Sequence, residues 1–160
     1  MEGIMRNYVF LFVFCLWNCQ AQTPQAHYFF DPGIKLGYSF GEGGGFVYGV
    51  ELSFVITGRD SRHPSYGITF DYDILPNGSK YHLGVEYMSP FVGLDIGPSV
   101  LSTDSSTLYG FSVIPFAGIL ILPYYNFTYF TPDITFHEVG TYLKVPIQTD
   151  HYTYNWRNSD

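Results

Sequence analysis

The chain has 160 residues and sets seven Lys and Arg against fourteen Asp and Glu, for a formal charge of −7; its length suits one domain rather than two. The basic residues are scattered, which excludes the basic patch that phosphate recognition requires, so nucleic acid is not an expected partner. Aromatic residues reach 20% while charged residues are only 13%, about half the share of roughly 25% found in ordinary soluble domains.

The first residues read as a secretory signal: a polar start with Arg6, an apolar run from Tyr8 to Trp17, and Ala21, after which cleavage is expected. The run is about half of the roughly 20 residues that a spanning helix needs, so residues 1–21 are read as a signal peptide rather than an anchor. Residues 22–160 then form one barrel domain with a polar C-terminal tail. Cys15 and Cys19 both fall within the signal, leaving the mature domain without a disulfide. Lipidation of Cys19 is the alternative, although Trp17 and Asn18 stand where such signals carry small residues.

Beyond Pro24 the dominant period is two. Ile34, Leu36, Tyr38 and Phe40 alternate with Gly33, Lys35, Gly37 and Ser39, and the stretch from Gly41 to Gly45 reads as a flexible connection. From Phe46 to Val55 the apolar set Phe46, Tyr48, Val50, Leu52 and Phe54 opposes Gly49, Glu51 and Ser53. From Tyr66 to Leu75, Tyr66, Ile68, Phe70, Tyr72 and Ile74 oppose Gly67, Thr69, Asp71 and Asp73. Pro76-Asn77-Gly78-Ser79 supplies a turn, Asn-Gly being the strongest short hairpin signal. After it, Tyr81, Leu83, Val85 and Tyr87 oppose Lys80, His82, Gly84 and Glu86. From Val92 to Val100, Leu94 and Ile96 face away from Gly93, Asp95, Gly97 and Ser99.

The segment from Thr107 to Phe130 is too long for one strand and is expected to be a hairpin, reversing near Pro115 and Gly118. The last strand runs from Phe136 to Ile147, with Val139, Leu143 and Val145 opposed to Glu138, Gly140, Tyr142 and Lys144. Tyr152, Tyr154 and Trp156 either extend it or belong to the tail. The expected fold is all-β, an antiparallel up-and-down barrel of about eight strands. No uninterrupted stretch of 18 apolar residues supports a spanning helix.

Alternation does not say which face lies inside. A soluble barrel would turn its polar face to water, yet that face is largely Gly, Ser and Thr. Turned inward, small residues fit the crowded centre of an eight-stranded barrel, while Tyr and Phe cover a lipid-facing belt. The expectation is therefore a transmembrane barrel with the bilayer as partner. Its lumen would set Glu51, Asp71, Asp73, Glu86, Asp95 and Glu138 against Lys35, Lys80, Lys144 and His82 in an ion-pair network that plugs any pore.

In its signal segment, strand number, glycine-rich polar face and aromatic opposite face, the whole mature chain resembles the small, about eight-stranded, outer-membrane β-barrel proteins of bacteria. That resemblance implies an outer-membrane location, and it spans structural, adhesive, inhibitory and enzymatic roles. Many such proteins end in a C-terminal aromatic residue, whereas this chain ends Arg157-Asn158-Ser159-Asp160; the stretch from Thr57 to Pro64 is long where that pattern has a short turn.

Three functions follow as expectations. The first is a non-enzymatic barrel with a structural role or with protein or glycan ligands at its loops. A soluble, periplasmic or secreted lipocalin-like carrier of a small apolar ligand is the second, and a membrane-embedded lipid-modifying enzyme using His63, His82 or His137 the third. No cofactor is implied. Asp71 and Asp73 at spacing two are common by chance on a polar-faced strand, so a metal site is not expected there. Gly43, Gly44 and Gly45 lack the Lys-Ser or Lys-Thr of a phosphate loop. Tyr124, Tyr125, Phe127 and Tyr129 are expected at a membrane interface. His137 and Glu138, being adjacent on a strand, point to opposite faces.

Overall fold

The computed structural model describes residues 27–41, 44–57 and 64–149. The expected signal peptide with Cys15 and Cys19, the residues Gly43 and His63, and the aromatic residues Tyr152, Tyr154 and Trp156 lie outside them. The described residues contain no helix. Eight long strands follow one another: β1 (His27–Phe40), β2 (Gly45–Thr57), β3 (Ser65–Leu75), β4 (Gly78–Ser89), β5 (Val92–Thr103), β6 (Thr107–Ala117), β7 (Ile121–Thr131) and β8 (Ile134–Lys144), with a two-residue segment β9 (Ile147–Gln148). Each pairs antiparallel with the next, and β8 pairs with β1, which closes an up-and-down barrel. β9 continues the line of β8 beside β1: Phe29 opposes Gln148 in the same register in which Gly33 opposes Lys144. The interruption falls where Pro146 and Pro32 remove amide donors from both strands.

The register fixes the barrel's shape. Phe30 opposes Phe54, which opposes Ile68, and the line continues through Val85, Ile96, Val113, Phe127 and His137 to Phe40. One circuit therefore returns to β1 ten residues further on. Ten residues of rise against eight strand spacings tilt the strands by about 40° and give a backbone radius of about 8 Å, a cylinder whose interior side chains fill.

Three local features differ from expectation. β1 begins at His27, because Pro32 is accommodated inside the strand opposite Leu52. The β3–β4 hairpin turns on Pro76-Asn77 rather than Asn77-Gly78: Leu75 opposes Gly78, which takes φ of 150° as the first residue of β4. Pro115 lies within β6, and the reversal occurs after it at Gly118, with φ of 126°. Between the Val113–Phe127 and Phe116–Tyr124 pairs the β6–β7 ladder is interrupted at Pro115, which has no amide to contribute.

The end bearing the described termini also carries the connections at residues 90–91 and 118–120. The opposite end, called here the turn end, carries those at 76–77, 104–106 and 132–133.

Candidate functional site: a charged lumen inside an apolar wall

Alternation sorts the side chains completely. On the eight long strands every Asp, Glu, Lys and Arg points inward, and the outward positions hold apolar residues, Ser, Thr, Pro and His137. Phe46, Phe54 and Ile121 are 70%, 62% and 63% exposed, while Lys35, Lys80, Asp71 and Asp73 are each 0% exposed. The barrel is inside out relative to a soluble one.

All ten residues expected in the luminal charge network, Lys35, Glu51, Asp71, Asp73, Lys80, His82, Glu86, Asp95, Glu138 and Lys144, are buried within the barrel. They form three groups. Near the terminal end, Lys144 pairs with Glu51 and with Glu86 at 2.8 Å; Ser53 donates to Glu51 at 2.7 Å. At the centre and toward the turn end, Lys35 pairs with Asp73 at 2.8 Å and with Asp71 and Glu138 at 3.4 Å each. Lys80 bridges the same Asp73, at 3.1 Å, and Glu138, at 2.7 Å. The third group joins His82 Nε2 to Asp95 Oδ1 at 3.2 Å, with His82 Nδ1 2.9 Å from Ser99 Oγ.

Sequence periodicity missed several members. Asp31 is a seventh luminal acid, hidden because β1 was expected to begin at Gly33. Tyr124 was expected at a membrane interface with Tyr125, Phe127 and Tyr129, but it points inward, as the alternation of β7 requires. Its hydroxyl donates to Glu138, and its ring, with that of Tyr142, flanks the Lys35 ammonium at 4.9 and 5.4 Å. Tyr142 also donates to Asp71 at 3.3 Å. Buried hydroxyls and an amide, Ser99, Ser112, Thr128 and Asn126, form a further chain. The missed signal was the polar parity of β6 and β7, masked by apolar neighbours. Ile114, Phe116 and Leu122 pack with both tyrosines to make that side of the lumen apolar.

Luminal glycines create the room. A Cβ at Gly84 would collide with the Asp95 carboxylate and lie 2.6 Å from His82 Nε2. The paired Gly37 and Gly140 both abut the Tyr124 hydroxyl, each with a Cβ position 2.5 Å from it. A glycine-rich inner face thus seats long charged and aromatic side chains from opposite strands.

Asp71 opposes His82 across β3 and β4. Among the described residues, no three His, Cys, Asp or Glu side chains converge to hold a metal ion. Asp95, His82 and Ser99 are the residue types of a hydrolytic triad, but Ser99 is 2% exposed and the wall beside it is tight: a Cβ on Gly97 of β5 would lie 2.8 Å from the Gly84 Cα of β4. His137 faces outward, its Nδ1 2.6 Å from the Tyr125 hydroxyl, while Glu138 faces in.

No protein-family model, curated protein or solved structure matches the chain.

Proposed function

We propose that this protein is a bacterial outer-membrane β-barrel whose strands cross the bilayer, with a structural role and a lumen closed by its ion pairs. The observation that carries this reading is the outer wall. It is a continuous apolar cylinder without one Asp, Glu, Lys or Arg on the long strands, whereas exposed apolar patches on soluble monomers seldom exceed a few hundred Å².

The wall is also banded. Toward the turn end, aromatic residues pair across strands as Tyr38–Phe46, Tyr72–Tyr81 and Phe111–Tyr129. Toward the terminal end they pair as Phe30–Phe54 and Tyr66–Tyr87. Between them lie mostly aliphatic pairs such as Ile34–Val50, Ile68–Val85 and Ile96–Val113. Phe30 and Tyr38 are eight residues apart on one strand, about 20 Å along the barrel axis at this tilt, which suits a thin bilayer with an aromatic girdle at each interface. Closure leaves no strand edge for hydrocarbon to meet.

At the turn end a structural role is favoured over ligand binding, because the fully described connections there, 76–77, 104–106 and 132–133, have only two or three residues. A soluble carrier of an apolar ligand would need its aromatic rings gathered inside, and this interior holds seven carboxylates and three ammonium groups instead. Cell fractionation tests the proposal: folded protein is expected in the outer-membrane fraction, extractable only with detergent. Recovery as a folded monomer from the soluble fraction would overturn it.

A further inference from the structure

We infer that the apolar hairpin tips at the terminal end are immersed in the acyl chains of the leaflet at that end, so that the β4–β5 and β6–β7 hairpins do not reach water there. The inference rests on the membrane reading above and extends it from the wall to one rim of the barrel.

The two ends differ in kind. Among the fully described connections, those of the turn end are polar: Pro76-Asn77, Asp104-Ser105-Ser106 and Pro132-Asp133, all exposed. Those of the terminal end are Pro90-Phe91 and Gly118-Ile119-Leu120, with Phe91, Ile119 and Leu120 65%, 67% and 59% exposed. No Asp, Glu, Lys, Arg or His occurs from Tyr87 to Leu94 or from Thr107 to Thr131. Tips that met water would be expected to carry the polar turn residues found at the other end.

The two apolar tips form one surface. The Gly118 amide donates to the Phe91 carbonyl at 2.9 Å, and the Lys144 amide donates to the Leu120 carbonyl at 3.3 Å. The β4–β5 tip, the β6–β7 tip and the end of β8 are thereby tied together, and the exposed Val145 follows directly. These bonds also meet a requirement of hydrocarbon, where a backbone group without a partner is too costly to bury: the Phe91 and Leu120 carbonyls are satisfied within the protein. The surface is continuous with the wall as well. Val92 and Ile121, the first residues of β5 and β7, are exposed outward positions. The register sets both within about 4 Å of the level of Phe30 along the axis, so the tips lie at the terminal-end girdle. An apolar surface is stable about 5–10 Å into the boundary between headgroups and acyl chains.

Thiol labelling in lipid nanodiscs, whose two faces both meet the solution, tests the inference. Cys15 and Cys19 are replaced by Ser, and single cysteines are introduced as Phe91→Cys, Ile119→Cys, Leu83→Cys in the aliphatic band and Asp104→Cys at the turn end. With a charged, membrane-impermeant methanethiosulfonate, Asp104→Cys is expected to label. Phe91→Cys and Ile119→Cys are expected to lose labelling as fully as Leu83→Cys, and to regain it on unfolding in dodecyl sulfate. Labelling of either tip variant at the Asp104→Cys rate, with Leu83→Cys still protected, would overturn the inference and leave the membrane reading standing. Labelling of Leu83→Cys in the folded barrel would overturn both.

Discussion

Lys144→Met isolates one group of the lumen. Among the described residues Lys144 is the only cation within ion-pair distance of either Glu51 or Glu86, and methionine keeps most of its volume. The substitution leaves two buried carboxylates facing each other, and removal of one partner from a buried pair costs about 3–5 kcal/mol. An independent bound agrees. The cheapest escape is to protonate one glutamate, which from a reference value near 4.3 costs about 3.7 kcal/mol at pH 7. That escape becomes cheaper by about 1.4 kcal/mol for each pH unit lowered, so the deficit should shrink toward pH 5, because the variant's folded state holds a proton that its unfolded state lacks until the pH nears the free glutamate value. Urea unfolding of the refolded barrel in lipid vesicles measures all of this. Combining Lys144→Met with Glu51→Gln and Glu86→Gln removes the stranded charges and should recover most of the loss. A Lys144→Met barrel within about 1 kcal/mol of the parent, or a triple variant no better than the single one, would refute the ion-pair account.

Three further outcomes are expected. Leu83→Arg, in the aliphatic band, should cost about 2–4 kcal/mol in vesicles, whereas Phe46→Arg, in the turn-end girdle, should cost about 0–1 kcal/mol; equal, near-zero effects would point to water around the wall. Gly97→Ala, whose methyl would press on the Leu83 carbonyl and the Gly84 Cα, should destabilise by about 1–3 kcal/mol. Gly33→Ala meets the flexible Lys144 side chain at 3.2 Å, with the Leu143 carbonyl oxygen and Glu51 Cβ at ordinary contact distances of 3.4 and 3.8 Å, and should change the unfolding midpoint far less; the reverse ranking would contradict the packing. Planar-bilayer recordings should show no steady conductance, since Lys35, Lys80, Asn126 and Thr128 are fully buried across the lumen, and open-channel steps would refute the plug.

Strand number and face were legible in the sequence because a closed barrel imposes one rule on every residue. Inward positions must be small, polar or paired and outward ones apolar, so each strand repeats the same period of two. Where that contrast is weak, the reading failed. On β6 and β7 both faces are rich in apolar residues, so Ile114, Phe116, Tyr124 and Phe130 gave no sign of pointing inward. Proline misled in both directions, at Pro32 and Pro115, because single-strand reasoning treats it as a breaker while a ladder can lose one bond locally. Which acid meets which lysine was not readable, since partners such as Lys80 and Glu138 lie 58 positions apart and meet only across the closed cylinder.

The same inversion explains why the lumen and the wall are complementary rather than independent. In a soluble domain the apolar interior supplies the driving force and the surface needs little precision. Here the apolar side chains lie on the outside, and in the membrane setting proposed above lipid would take the place of the core. The interior contributes specificity: Lys35 reaches across from β1 to Asp71 and Asp73 of β3 and Glu138 of β8, and each of those partners is buried. A slip of one residue in any strand pairing would turn that strand's charges onto the apolar outer wall and its outward Tyr and Phe residues into the lumen. With the wall against lipid as proposed, the buried charges would act chiefly as a register lock, enforced by the high cost of placing a carboxylate on the lipid side, and that cost, more than any net gain from the ion pairs themselves, would hold the ten-residue stagger in place.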